Sequence, residues 1–250
     1  MSQQSRTRWM AVAALMLASL TVVFAGQQVQ QAPAPPSTTS TTTQAPPATP
    51  GVHPISGRRY AAYMSYQGAE WLDREERDIE EEPDRALDAL GLKRGDVVAD
   101  VGAGSGYMSV RMAKRVGNEG RVYAEDIQPE MIALLNKRLT KEKVANVVPI
   151  LGLITDPKLP EATMDLILLV DVYHEFSEPQ QMLRGLRAAL KPGGRLVLLE
   201  YRKEDPNVPI RLEHKMTVAE AKMELEAEGF TLTKADERLP RQHILIFTKK

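Results

Sequence analysis

Short, almost wholly apolar runs alternate with amphipathic stretches from residue 97 onward. Val97-Val98-Ala99-Asp100-Val101 opens the series, and such a run, bounded by turn residues, reads as a strand buried on both faces of a parallel sheet. Helical periodicity follows over Tyr107 to Val116, then a strand at Arg121 to Asp126 and a helix at Pro129 to Leu139. Asn146 to Ile150 gives a third strand, Asp165 to Val170 a fourth, Glu178 to Leu190 a helix and Arg195 to Glu200 a fifth strand. Alternation this regular predicts an α/β fold on a doubly wound, mainly parallel sheet. The end departs from it. A helix over Val218 to Glu228 precedes two strands, Thr231 to Asp236 and His243 to Phe247, and their short Pro-containing connection predicts an antiparallel pair.

Upstream the pattern changes. Trp71, Leu72, Ile79, Leu87 and Leu90 recur at helical spacing between Glu70 and Gly91, and Pro83 divides that stretch into two helices or one kinked helix. Residues 53–82 are read as a helical extension, whose Tyr60, Tyr63, Tyr66 and Trp71 supply either an apolar pocket wall or plain core. Residues 27–52 are dominated by Gln, Pro, Ala, Ser and Thr, a composition that builds no core and predicts a disordered linker. Before it, Arg6 and Arg8 precede an apolar stretch from Trp9 to Ala25, the order of a secretory signal. Residues 1–26 are therefore expected as either a cleaved signal peptide or an uncleaved anchor. An exported or envelope-associated protein follows, and the positive-inside preference puts the domain outside the cytoplasm.

Composition narrows the partners. With 43% hydrophobic and 26% charged residues the chain can bury a sizeable core. Its net charge of -1 creates no broad field for nucleic acid, which favours a small-molecule or lipid-like partner and confines membrane contact to the leader. Cysteine is absent, which removes disulfides, thiolate metal sites and thiol nucleophiles.

The candidate chemistry begins at Asp100-Val101-Gly102-Ala103-Gly104-Ser105-Gly106-Tyr107, between the first strand and its helix. There backbone N–H groups face a ligand and glycines let it approach closely. A dinucleotide loop has its third glycine three residues after the second; here the interval is two and bulky Tyr107 follows. A Walker loop needs Lys and then Ser or Thr where this chain has Tyr107-Met108, so NAD-dependent and phosphate-transfer chemistry lose support. Asp126 ends the second strand, where a carboxylate can accept bonds from ribose hydroxyls, with Glu125 as its neighbouring rival.

The segment Val98 to Gly106 resembles motif I of the class I S-adenosylmethionine-dependent methyltransferases. Tyr123 to Met131 resembles the family's second motif, Asp165 to Phe176 its fourth-strand motif, and Leu190 to Val197 its turn and fifth strand. The resemblance implies a methyltransferase domain over residues 83–250, with a seven-stranded Rossmann-like sheet, an antiparallel last strand, and S-adenosyl-L-methionine as cofactor. It places Asp100, Gly102, Ala103, Gly104 and Gly106 along the methionine side, Asp126 at the ribose and Ile127 on the adenine face. Gly152 to Thr155, Leu153 among them, would flank the adenine, and Asp171 would lie beside the methionine and sulfonium. Asp100 as a loop cap and Ile127 as simple core are the plain alternatives.

Transfer of a methyl group from a sulfonium is an in-line displacement from an activated donor, so alignment matters most and a base is optional. Where the acceptor needs one, the exit of the fourth strand supplies Tyr173, His174 and Glu175, with His174 the first choice and a structural histidine the competing role. His214, in the loop Asp205 to Met216, reads as substrate contact or surface. A catechol-type magnesium site at Asp171, His174 and Glu200 does not match that subgroup's spacing, and no metal is expected. The acidic run Glu75 to Glu82 reads as a solvated helix face. The alternative to an enzyme is a non-catalytic ligand-binding or scaffold protein that retains the fold.

Overall fold

Strands rich in Val, Leu and Ile lie side by side when helices cover both of their faces. The computed structural model describes residues 51–250; the leader and the Pro/Thr/Gln-rich segment up to residue 50 lie outside the described residues. In chain order the elements are α1 (Ala69–Leu72), α2 (Arg77–Glu80), α3 (Pro83–Leu90), β1 (Val97–Val101), α4 (Tyr107–Val116), β2 (Arg121–Asp126) and α5 (Pro129–Glu142). They continue with β3 (Val147–Leu151), β4 (Met164–Val170), α6 (Pro179–Ala189), β5 (Leu190–Tyr201), α7 (Val218–Ala227), β6 (Phe230–Asp236) and β7 (Gln242–Lys249). One seven-stranded sheet has the order β3-β2-β1-β4-β5-β7-β6. Strands β1 to β5 are parallel, and β7 runs against both of its neighbours.

Alternation along the strands sorts the core into two layers. Val98, Val122, Leu166, Leu168, Val197 and Leu199 pack under α3, α4 and α5. Ala99, Val101, Ile167, Leu169, Leu196 and Leu198 pack under α6 and α7. The strand order reverses between β1 and β4, and such a switch point opens a crevice at the carboxyl ends of the strands. Among the described residues no helix is long and apolar enough to cross a membrane.

The Glu70 to Gly91 stretch is broken into three short pieces. Pro83 sits at the first position of α3, where its missing N–H costs nothing, after Glu82 with φ of 47°. Ile79, one of the apolar residues at helical spacing, is 81% exposed, and Trp71, read as pocket wall or core, is 52% exposed. The acidic run is not uniformly solvated either, because Glu81 is buried against Arg77 of α2.

Residues 51–68 form a strap over the carboxyl edge of the sheet. Arg58 is buried and donates through Nε and Nη2 to Glu224 of α7, both at 3.0 Å, and through Nη1 to the His174 carbonyl at 3.0 Å. The Ala61 amide donates to the same carbonyl at 3.1 Å. Farther along, the Gln128 side chain accepts from Tyr66 N and donates to Met64 O, each at 2.9 Å.

Candidate active site

Beneath the strap lies a cavity of about 730 Å³. One end is backbone and carboxylate. Gly102 has φ of +70° and Gly104 of +54°, so both occupy the left-handed region that favours glycine. A Cβ at Gly102 would stand 2.6 Å from both methyls of Val172, and one at Gly104 2.6 Å from a Leu72 methyl. The loop is tied to β2: Ala103 N donates to Glu125 O at 2.8 Å, and Gly104 N to the Asp126 carboxylate at 3.0 Å. Asp126 also accepts from Gln128 N at 2.8 Å, while Glu125 keeps one buried carboxylate oxygen without a partner. Burial raises the pKa of both carboxylates, and Glu125 is raised further by the charge of Asp126.

Asp171 leaves β4 with φ of +55°, a strained conformation for a residue with a side chain. Gln242 donates to its Oδ2 at 2.7 Å, and its Oδ1 is buried and unpartnered. Burial, then the charges of Glu81 and Glu200, hold its pKa well above the usual carboxylate value. Arg77 lines the same space, with Nε on Glu81 at 2.8 Å and its guanidinium 4.3 Å above the Tyr107 ring.

The other end is made of side chains from distant segments. His174 Nδ1 lies 2.6 Å from Glu200 Oε2, and His174 Nε2 lies 3.1 Å from His214 Nδ1. Glu175 Oε1 is 3.9 Å from each of those two facing ring nitrogens. Burial opposes a charge on His174, but the Glu200 carboxylate outweighs it and raises the pKa. Burial, then the neighbouring His174, lower that of His214, and burial pushes Glu175 up to about 7. Tyr63, Met64, Phe176 and Ile210 supply apolar wall.

Of the residues singled out from sequence, Gly102, Gly104, Asp126, Ile127, Asp171, His174 and Glu175 line this one cavity. Glu125, His214, Tyr63 and Trp71 line it as well, whereas Asp100, Ala103, Gly106, Leu153 and Tyr173 do not. Asp100 is buried and its carboxylate accepts from Ser109 Oγ at 2.5 Å; burial raises its pKa to about 6. Ala103 turns into the core cluster beneath α4, and Gly106 sits at the start of α4, where Leu135 leaves no room for a Cβ. Leu153 is 50% exposed, and Ile154 lines the cavity from the same segment. Tyr173 is fully buried in the opposite core layer, under the Arg58 guanidinium, so it offers no hydroxyl to the cavity. Arg77, Glu81 and Gln128 line the cavity without having been singled out.

A profile described as a methyltransferase domain matches residues 92–239, more than half of the chain. The chain belongs to the methyltransferase domain family. Solved structures similar to it include a SAM-dependent methyltransferase from Aquifex aeolicus, 28% identical with a TM-score of 0.70, over 74% of this chain and 98% of that one. Curated relatives include the ubiquinone/menaquinone biosynthesis C-methyltransferase UbiE of Hydrogenovibrio crunogenus, 33% identical over 121 residues, and that of Enterobacter sp. strain 638, 30% identical over 118. Each match covers 47% of this methyltransferase and 47% of the relative, so the chain spans about half the length of the curated relatives it matches. The cofactor of this fold family is S-adenosylmethionine, and the residues fit it. The buried, unpartnered oxygens of Glu125 and Asp171 require hydrogen-bond donors, and a ligand with ribose hydroxyls and an amino-acid ammonium carries them. Arg77, which lines the same cavity, would face its carboxylate.

Proposed function

We propose that this chain transfers a methyl group from S-adenosylmethionine to a small-molecule acceptor with an apolar body and one polar head. The carrying observation is that a single cavity holds the glycine loop and unpartnered carboxylates at one end and the His174–His214–Glu175 group at the other. When bound, the cofactor supplies an electrophilic methyl group on a sulfonium. The chain's own work is alignment and exclusion of water. Gly102 and Gly104 let the backbone approach the ligand, Glu125 and Asp126 face its hydroxyls, and Asp171 and Arg77 face its charged groups. His174, fixed by Glu200, holds the acceptor's polar head, and the strap closes the apolar side. The relatives' printed role in ubiquinone and menaquinone biosynthesis supports a ring-bearing, lipid-like acceptor. The apolar walls of the cavity and the leader's sequence support meeting it at the envelope.

The test is a calorimetric titration of S-adenosylhomocysteine into the full chain, with NADH as control. Saturable binding that Asp126→Ala abolishes supports the reading, and labelled cofactor then screens acceptors. A folded sample that binds none of it would leave a scaffold that has kept only the fold. Fractionation of cells expressing the full chain tests the envelope assignment, which fails if the protein is absent from membrane and exported fractions.

A further inference from the structure

We propose that His174, His214 and Glu175 form a binding site for a divalent transition-metal ion of the zinc class at the acceptor end of the cavity. Two imidazole nitrogens bound to zinc at about 2.0–2.1 Å stand about 3.3 Å apart in a tetrahedron. His174 Nε2 and His214 Nδ1 are 3.1 Å apart, and Glu175 Oε1 is equidistant from both at 3.9 Å. All three ligand atoms lie within 4.8 Å of one another. Closing the carboxylate onto a common centre takes a shift of about half an ångström, within reach of a Glu side chain whose exposure is 17%.

The surroundings point the same way. A metal-binding histidine usually donates its second ring N–H to a carboxylate, which fixes the tautomer and makes the free nitrogen a better ligand. Glu200 does this to His174: it is fully buried, its Oε2 lies 2.6 Å from Nδ1, and its other oxygen has no partner. With Nδ1–H given to Glu200, the neutral ring of His174 presents its Nε2 lone pair toward His214. His214 is 30% exposed on the loop that covers the cavity, which gives the ion a route in. The set of two nitrogens and one oxygen suits Zn²⁺ or Co²⁺ better than Mg²⁺, which favours oxygen. Three protein ligands leave a position open toward the cavity, as catalytic zinc sites do. There a bound ion would hold an acceptor hydroxyl and lower its pKa, so that the deprotonated nucleophile forms near neutral pH. That role rests on the transferase reading; the binding does not.

The experiment uses untagged full-length protein stripped with chelator, titrated with Co²⁺ and watched by visible absorption, and then with Zn²⁺ in competition. One equivalent of tetrahedral Co²⁺ is expected, displaced by Zn²⁺. His214→Ala should weaken it at least 100-fold, and Glu200→Gln, which touches no ion, about 10- to 100-fold at unchanged stoichiometry. Folding of each variant is checked by circular dichroism and its thermal midpoint, and S-adenosylhomocysteine binding is measured on the wild type. Absence of binding, or binding indifferent to His214→Ala, overturns the site. Homocysteine-product binding without cobalt binding sinks the metal and spares the transferase reading; the reverse outcome does the opposite.

Discussion

The two ends of the cavity are built by different means. The donor end is made of neighbours: a loop of seven residues from Asp100 to Gly106, and Glu125 and Asp126 on the adjacent strand, held by backbone hydrogen bonds. The acceptor end is assembled from the strap, the exit of β4, the end of β5 and the loop bearing His214, joined by side chains and a buried ion pair. Backbone geometry tolerates few substitutions but depends on little outside itself. A side-chain assembly can be retuned one residue at a time, and it fails when a distant anchor is lost. The fold thus keeps a fixed donor cradle beside an acceptor end free to change.

Removing an anchor should give the largest effect. Arg58→Ala leaves Glu224 buried with its carboxylate deprived of the guanidinium, which is expected to cost about 3–5 kcal/mol in urea unfolding. If the folded fraction still binds S-adenosylhomocysteine, the ends are separable; a loss below about 1 kcal/mol would mean that this pair does not hold the strap.

At the donor end the corresponding buried charge is Asp100. Its folded pKa of about 6 exceeds the ordinary 3.8, so the folded state keeps a proton that the unfolded chain has released. Wild-type stability should therefore fall as pH rises from 3.8 to about 6, by about 3 kcal/mol at most from this group. The thermal midpoint of Asp100→Asn, measured against pH beside wild type, should gain on it across that window. Parallel curves would show that Asp100 ionises freely.

Gly102→Ala probes the cradle itself. The left-handed backbone costs alanine about 1–2 kcal/mol, and the new methyl meets Val172 at 2.6 Å. A loss of S-adenosylhomocysteine affinity of about tenfold or more is expected by calorimetry, and undiminished affinity would show that the loop can rearrange. Gln128→Ala should do least. It removes two hydrogen bonds to the strap, about 1 kcal/mol each, and amide exchange at Tyr66 should quicken while donor affinity stays nearly constant. Unaltered exchange would place the strap's restraint at Arg58 alone.

The same contrast explains what could be read before the fold was known. Strand and helix order, the glycine loop and Asp126 are local signals, carried by residues within a few positions of one another, and the short connection after Asp236 was enough to reverse β7. The acceptor end carries no such signal, because His174 and His214 are 40 residues apart and only packing brings their rings together. Arg77 and Glu81 were hidden differently. An ion pair four residues apart looks the same on a solvated face as beneath a cavity, and only the surrounding elements decide which it becomes. Tyr173 shows the reverse error, since a run of three polar residues at a strand exit cannot all face one side, and the last two of the three turned to the site while the first filled the core.

The reversed β7 also settles a practical matter. Its first residue, Gln242, pairs with Tyr201 at the ligand edge of the sheet, while Thr248 pairs with Arg195 and Lys249 with Phe230 at the opposite edge. A linker joined after Lys250 leaves on the side away from the cavity. Biosensor surfaces coupled through that end would therefore present the mouth of the site to the flowing solution, with no tether in the path of donor or acceptor.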